Sequence, residues 1–272
     1  MSITTKRLKA SAYLAGMLAL TAGFSGCSIM SQTTSIFSQT EKDPTEGWSA
    51  NKIYVTAKEA LNAGDYERAI TLYEALEARY PLGRFAQQAQ LEKAYAYYKY
   101  DEADSALDEI DRFLRMNPGS ENVDYALYLR GLVNFNRGSS IVDQVFPRSI
   151  ADLDSVRQKE SFQDFSHVVT RHPNSKYAPD ARSRLQYLRN SLAESEVNVA
   201  KYYMLRGAWL AAFNRAEYAI KHYQGSPAIA DALEIKIQAA HNLGKTDLAA
   251  DSMRVMELNF PQRAAALQSK LR

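Results

Sequence analysis

From residue 49 onward, apolar residues recur at helical spacing, and the alternation expected of strands is almost missing. Ala, Leu, Glu, Lys and Arg, all favourable in helices, fill the stretch. The clearest segment runs from Tyr54 to Pro81, YVTAKEALNAGDYERAITLYEALEARYP. Gly64-Asp65-Tyr66 splits it into two helices. Gly64 is suited to the left-handed conformation that closes the first helix, and Asp65 is suited to capping the second. Ala69 falls where the two helices must approach closely. Tyr73 and Leu76 fall on the inward face, and Pro81 stops the second helix.

The same punctuation returns along the chain. Pro81, Pro118, Pro173, Pro227 and Pro261 are 37, 55, 54 and 34 residues apart. Two intervals fit a 34-residue helix–turn–helix period and two exceed it by about twenty residues, as two insertions would produce. The segment 54–81 resembles a tetratricopeptide (TPR) repeat, with small residues at set positions, an aromatic residue four after the second Ala, and a terminal Pro. The second unit places Ala94 and Ala106 at the close contacts, Ile110 and Phe113 inward, and Tyr100-Asp101 at a turn without Gly. The third begins with Tyr125 to Asn136, with Gly131 as its small residue, and resumes at Phe162, Phe165 and Val168 after an extra 18 residues. The fourth turns at Gly207-Ala208-Trp209 ahead of Ala212, Ala216 and Ala219, and its first helix extends from Ala178 to about Arg206. The last turns at Leu243 to Asp247, packs Ala249, Met253 and Met256, and stops at Pro261. The expected fold is all-α, a superhelical array of about five TPR-like helix–turn–helix repeats. Stacking hides the apolar face that each hairpin exposes alone.

The first 48 residues follow another pattern. Lys6, Arg7 and Lys9 precede an apolar stretch from Ala10 to Ala22, too short to span a bilayer comfortably, and Phe24-Ser25-Gly26-Cys27 follows. This reads as a secretory signal. Small residues directly before Cys27, the only cysteine, resemble a bacterial lipobox, although Phe24 stands where that pattern prefers Leu. The expectation is cleavage after residue 26 and a covalent lipid, palmitate included, on Cys27. The alternative is a secreted protein with a stray cysteine. Ser28 rather than Asp after the Cys points, by the sorting rule of such lipoproteins, to the outer membrane facing the periplasm. Residues 27–48 read as a lipidated polar tether. The folded part then divides into 49–120 (units one and two), 121–175 (unit three, with an insertion near 137–157) and 176–272 (units four and five).

Cleavage also changes the charge. It removes three of the 33 bases and no acid, leaving 30 bases against 31 acids. The net charge of +2 for the whole chain is therefore no argument for nucleic acid, and no basic run of the needed kind is present.

Catalytic patterns are missing from the sequence. His167, His172, His222 and His241 have no metal-ligand spacing, and no HExxH, GxSxG, P-loop or GxGxxG occurs. Glu194 and Glu196, two apart on a helix, point to different faces and read as solvated charge. The expectation is a protein that is not an enzyme, with no cofactor and no metal.

In a stack of such repeats the first helix of each pair lines the concave side. That places Tyr54, Lys58 and Asn62 there from unit one, Tyr95, Tyr98 and Lys99 from unit two, and Tyr125, Tyr128 and Phe135 from unit three. Such a groove suits an extended peptide with aromatic side chains and a free C-terminal carboxylate. The alternative is that most of these tyrosines pack between helices. Ile141, Val142, Val145 and Phe146, with Pro147, form an apolar insertion that either contacts a partner or covers a core edge.

Lipobox, tether, five repeats with an expanded third, and the stretch GDYERAITLYEALEARYPLGRFAQQAQLEKAYAYYKYDE together resemble the BamD/ComL (YfiO) family of lipoproteins of the outer-membrane β-barrel assembly machine. The resemblance implies a scaffold. Units four and five would dock the POTRA domains of the central β-barrel insertase. The groove of the first units would receive the C-terminal aromatic signal of unfolded barrel substrates, and companion lipoproteins would lie on the same surface. A periplasmic adaptor that organises cell-wall enzymes is the competing reading of such a lipidated repeat protein.

Overall fold

The structure is a computed structural model that describes residues 43–136 and 155–271. Cys27, the signal segment, most of the tether, and Ile141, Val142, Val145 and Phe146 lie outside the described residues. The chain divides into 1–46 and 47–272. Of the first part, Asp43 Oδ1 accepts from the Thr45 N–H at 2.8 Å and from its hydroxyl at 2.6 Å.

In the second part the described helices are α1 (Ala50–Ala63), α2 (Tyr66–Arg79), α3 (Ala86–Lys99), α4 (Ala103–Met116), α5 (Val123–Asn136), α6 (Ser155–Arg171), α7 (Ala178–Leu205), α8 (Trp209–His222), α9 (Ile229–Asn242), α10 (Thr246–Asn259) and α11 (Pro261–Leu271). Each packs on its neighbours in the chain, and α7 also packs on α9. The first turn forms as its residues predict. Gly64 sits at φ 81°, its N–H closing on the carbonyls of α1, and Asp65 accepts from the Arg68 N–H. The second turn uses Asp101 at φ 66° where the others use Gly64, Gly207 and Gly244.

The core is a chain of overlapping clusters, each formed by one hairpin and the first helix of the next. Ile53, Tyr73, Leu76 and Ala89 join α1, α2 and α3. Leu91, Ile110, Phe113 and Leu129 join α3, α4 and α5. Leu127, Phe165 and Leu188 join α5, α6 and α7, and Val197, Ala216 and Ala239 join α7, α8 and α9. Helix α7 has 28 residues, about 42 Å at 1.5 Å per residue, so its two ends serve two different clusters.

The four connections between hairpins, 80–85, 117–122, 172–177 and 223–228, are all six residues long. In each, the fourth residue donates its N–H to the carbonyl of the first, at 3.0, 3.1, 3.0 and 3.2 Å. The first residue of the following helix then donates to the carbonyl of the fourth.

Three expectations need correction. Pro227 stands fifth in its connection and does not end a helix, because α8 has already closed at Tyr223. Pro261 does not end the array. It opens α11, where a missing N–H costs nothing at the first helical position. Glu196 is not solvated; it is 5% exposed and held by Lys159 at 3.1 Å and Arg215 at 2.8 Å.

Candidate functional site

Side chains from α1, α3 and α5 enclose a concavity of about 930 Å³. Helix α1 gives Lys58, Leu61 and Asn62. Helix α3 gives Gln88, Glu92, Tyr95 and Lys99, whose spacing of four, three and four residues keeps them on one face. Asp124 and Tyr125 come from α5, Tyr66 from α2, and Glu121, Asn122 and Asn174 to Tyr177 from the six-residue connections.

Glu92 organises the floor. It is 5% exposed. Its Oε2 accepts from the Tyr73 hydroxyl at 2.6 Å, and its Oε1 accepts from Gln88 Nε2 at 2.9 Å, from the Tyr54 hydroxyl at 3.3 Å and from Lys58. A buried carboxylate is tolerable only with such donors. The arrangement ties α1, α2 and α3 at one point. Burial, then the Glu92 charge, pushes the Tyr54 phenol up to about 12. Burial, then the neighbouring Tyr177, Tyr95 and Glu92, raises the Tyr125 phenol well above its ordinary value. Both phenols stay neutral across the physiological range, and Tyr54 donates its hydroxyl to Glu92.

Lys99 and Lys176 are exposed, and no described acid pairs with either; the Lys176 ammonium lies 5.0 Å from the Tyr177 ring centre. Charge is divided along the groove. Lys58, Lys99 and Lys176 line it with Glu92, Glu121 and Asp124, and Glu92 already holds Lys58.

Of the residues expected here, Lys58, Asn62, Tyr95, Lys99 and Tyr125 line the concavity together. Tyr54, Tyr98, Tyr128 and Phe135 do not. Tyr54 stacks on Phe85 at 4.5 Å and bonds Glu92. The Tyr98 hydroxyl accepts from Asn136 Nδ2 at 2.5 Å and its ring packs on the α3–α5 cluster. Tyr128 stacks on Tyr177 at 4.8 Å and donates to Asp180 at 2.7 Å. Phe135 packs against Phe165 and Tyr187. Glu92, Tyr177 and Lys176 belong to the site without having been expected there from the repeat pattern. A lone acid inside the apolar run QLEKAYAYY was the available signal for Glu92. For the other two it was the repeated six-residue connection.

A family model described as YfiO, outer membrane lipoprotein, matches residues 46–256. A protein of Neisseria meningitidis serogroup A, named outer membrane protein assembly factor BamD, is 48% identical over 218 residues, 80% of this chain and 82% of its own. Its namesake in Vibrio cholerae is 37% identical over 246 residues, 90% of this chain and 97% of its own. Among solved structures, the TPR2AB-domain:pHSP90-complex of yeast Sti1 aligns over 82% of both chains with a TM-score of 0.42 and 15% identity.

Proposed function

The chain belongs to the YfiO family of outer membrane lipoproteins, and on that premise we propose how its surfaces divide the work of an outer membrane protein assembly factor. It acts without catalysis, as a lipid-anchored scaffold of the β-barrel assembly machine on the periplasmic side of the outer membrane. The groove of α1, α3 and α5 receives the C-terminal signal of unfolded barrel substrates. Lys99, with Asn62 and Lys58, meets the terminal carboxylate, while Tyr95 and Tyr125 meet the aromatic side chains. The observation that carries this reading is the convergence of those five residues on one concavity of about 930 Å³.

The far end of the array serves docking to the POTRA domains of the central insertase. Leu248, Val255 and Leu258 of α10 are 45%, 46% and 84% exposed, and their spacing places them on one stripe. Such a stripe is the kind of surface a partner covers. Companion lipoproteins occupy the remaining faces.

The test is fluorescence anisotropy with a labelled peptide that copies a barrel C-terminus ending in Phe. Its free acid should bind about tenfold tighter than its amide, the difference a charge-assisted hydrogen bond makes. Lys99→Ala and Tyr95→Ala should each weaken the free acid without changing helicity. Equal affinity of acid and amide, with both variants unaffected, would remove the groove from the mechanism.

A further inference from the structure

A second cleft, of about 240 Å³, opens where α4, α5 and α6 meet. It shares no residue with the peptide groove. Asn134 and Tyr125 are nine residues apart on α5, half a turn out of phase, so the two sites use opposite faces of that helix. The cleft is lined by Leu107 and Asp111 of α4, by Arg130 and Asn134 of α5, and by Glu160, Gln163 and Asp164 of α6, the Gln163 side chain standing exposed at the rim.

Three carboxylates face one guanidinium, and that guanidinium is already committed. Arg130 donates to Asp164 through Nε and one terminal nitrogen, at 3.0 and 2.6 Å, and to Asp111 Oδ1 through the other at 2.6 Å. Asp164 is 3% exposed and is satisfied by Arg130. Glu160 is exposed, and no described side chain pairs with it. Asn134 is 5% exposed, and its side-chain oxygen accepts from no donor. A buried acceptor without a donor is costly and is rare in folded proteins. The free capacity of the cleft is thus acceptor capacity, with an excess of negative charge and an apolar wall at Leu107. No group of three acidic or histidine side chains among the described residues is placed to hold a metal ion. The chemistry left is a donor-rich organic cation with an aliphatic stem.

We propose that this cleft is a docking point for a lysine or arginine side chain of a partner protein. The cation sits between Glu160 and Asp111 and donates to the Asn134 oxygen, and its methylenes lie along Leu107. Charge complementarity selects the occupant, and the already paired Arg130 keeps the walls in place before the partner arrives.

The experiment follows the Asn134 side-chain amide signal by NMR in the full-length protein. The probes are Ac-Gly-Ser-Gly-Arg-Gly-Ser-Gly-NH2 and the same peptide with Gln in place of Arg. The arginine peptide should shift the Asn134 signal saturably, and the glutamine peptide should not. Glu160→Gln, at an exposed position with no described partner, should weaken the arginine peptide by about fivefold, as expected for a rim charge. Glu194→Gln, an exposed acid elsewhere, should leave it unchanged. No saturable shift, or the same affinity in Glu160→Gln as in wild type, overturns the proposal.

Discussion

A methyl group built on Gly131 would lie 2.8 Å from Phe165 Cε1, and the Phe165 ring it would have to displace is wholly buried. The Gly131 carbonyl also accepts from the Ser161 hydroxyl at 2.9 Å, which fixes the spacing of α5 and α6. Gly131→Ala should therefore destabilise the fold by about 1–2 kcal/mol, the overpacking cost exceeding the helix-propensity gain of Ala. Urea unfolding measures it, and a stabilised variant would contradict the packing argument. Asp101 makes the opposite case. It holds φ 66° where three other turns hold Gly, and Asp tolerates that region better than branched residues do. Asp101→Gly should be accepted within about 0.5 kcal/mol, while Asp101→Val should cost about 1–2 kcal/mol. Small residues and turn residues were legible because their geometry is local. Gly64, Ala69, Ala106, Ala212 and Gly131 all stand where their size predicts. The tyrosines were less legible. A helix face specifies direction but not what stands opposite, and Phe85, Tyr177 and Asp180 engage Tyr54 and Tyr128.

Between elements, a ladder of charges repeats with the helices. Lys93 on α3, 4% exposed, reaches Glu77 on α2 at 2.8 Å and Glu109 on α4 at 2.9 Å, and Arg112 closes the set at 2.9 and 2.6 Å. Arg130 on α5 joins Asp111 on α4 to Asp164 on α6. On α7 the sign reverses, and Glu196 joins Lys159 on α6 to Arg215 on α8. Lys236 on α9 pairs with Glu217 on α8. Each of the first helices α3, α5, α7 and α9 thus carries one charge that the preceding second helix answers. A hairpin stacked out of order across α7 would bring like charges together, so the ladder favours one order of stacking. Its acid sensitivity has a definite sign. Burial raises the Glu109 carboxyl, but hydrogen bonds and charge from Lys93 and then Arg112 outweigh it and hold it below its ordinary 4.5. Its contribution is therefore complete above about pH 5 and is lost as pH falls through the lower folded value. Urea midpoints of wild type and Glu109→Gln should differ most at neutral pH and converge in acid; a constant gap down to pH 3 would exclude Glu109 as the source. None of this was legible from residues alone, because a charge on a helix face reads as solvated until a neighbouring helix covers it.

On the scale of the whole array, the overlapping clusters make each hairpin depend on the helix that follows it, which for α9 and α10 is not the first half of a described hairpin. Helix α11 fills that place. Ala264 and Leu267, both 1% exposed, close over Ile237 and Met256. The period also becomes regular once connections rather than prolines are compared. Second helices end before residues 80, 117, 172, 223 and 260, so the first and last intervals are both 37 residues. The intervals between are longer because of the segment between α5 and α6 and because α7 has twice the 14 residues of α8. The repeat was legible in sequence and the cap was not, because a proline after a helix marks a stop and suits the first position of a new helix equally well. A cap in a nearest-neighbour array should stabilise what it touches and little else. A chain ending at residue 260 loses the burial of Leu267, worth about 1.5–3 kcal/mol. Amide exchange in α9 and α10 should then accelerate by roughly 10- to 100-fold, as that free energy dictates. Exchange in α1 to α4, three clusters away, should stay as in the full chain. Uniform acceleration from α1 to α10 would show that the array unfolds as one cooperative block, and α11 would then be a keystone rather than a local cap.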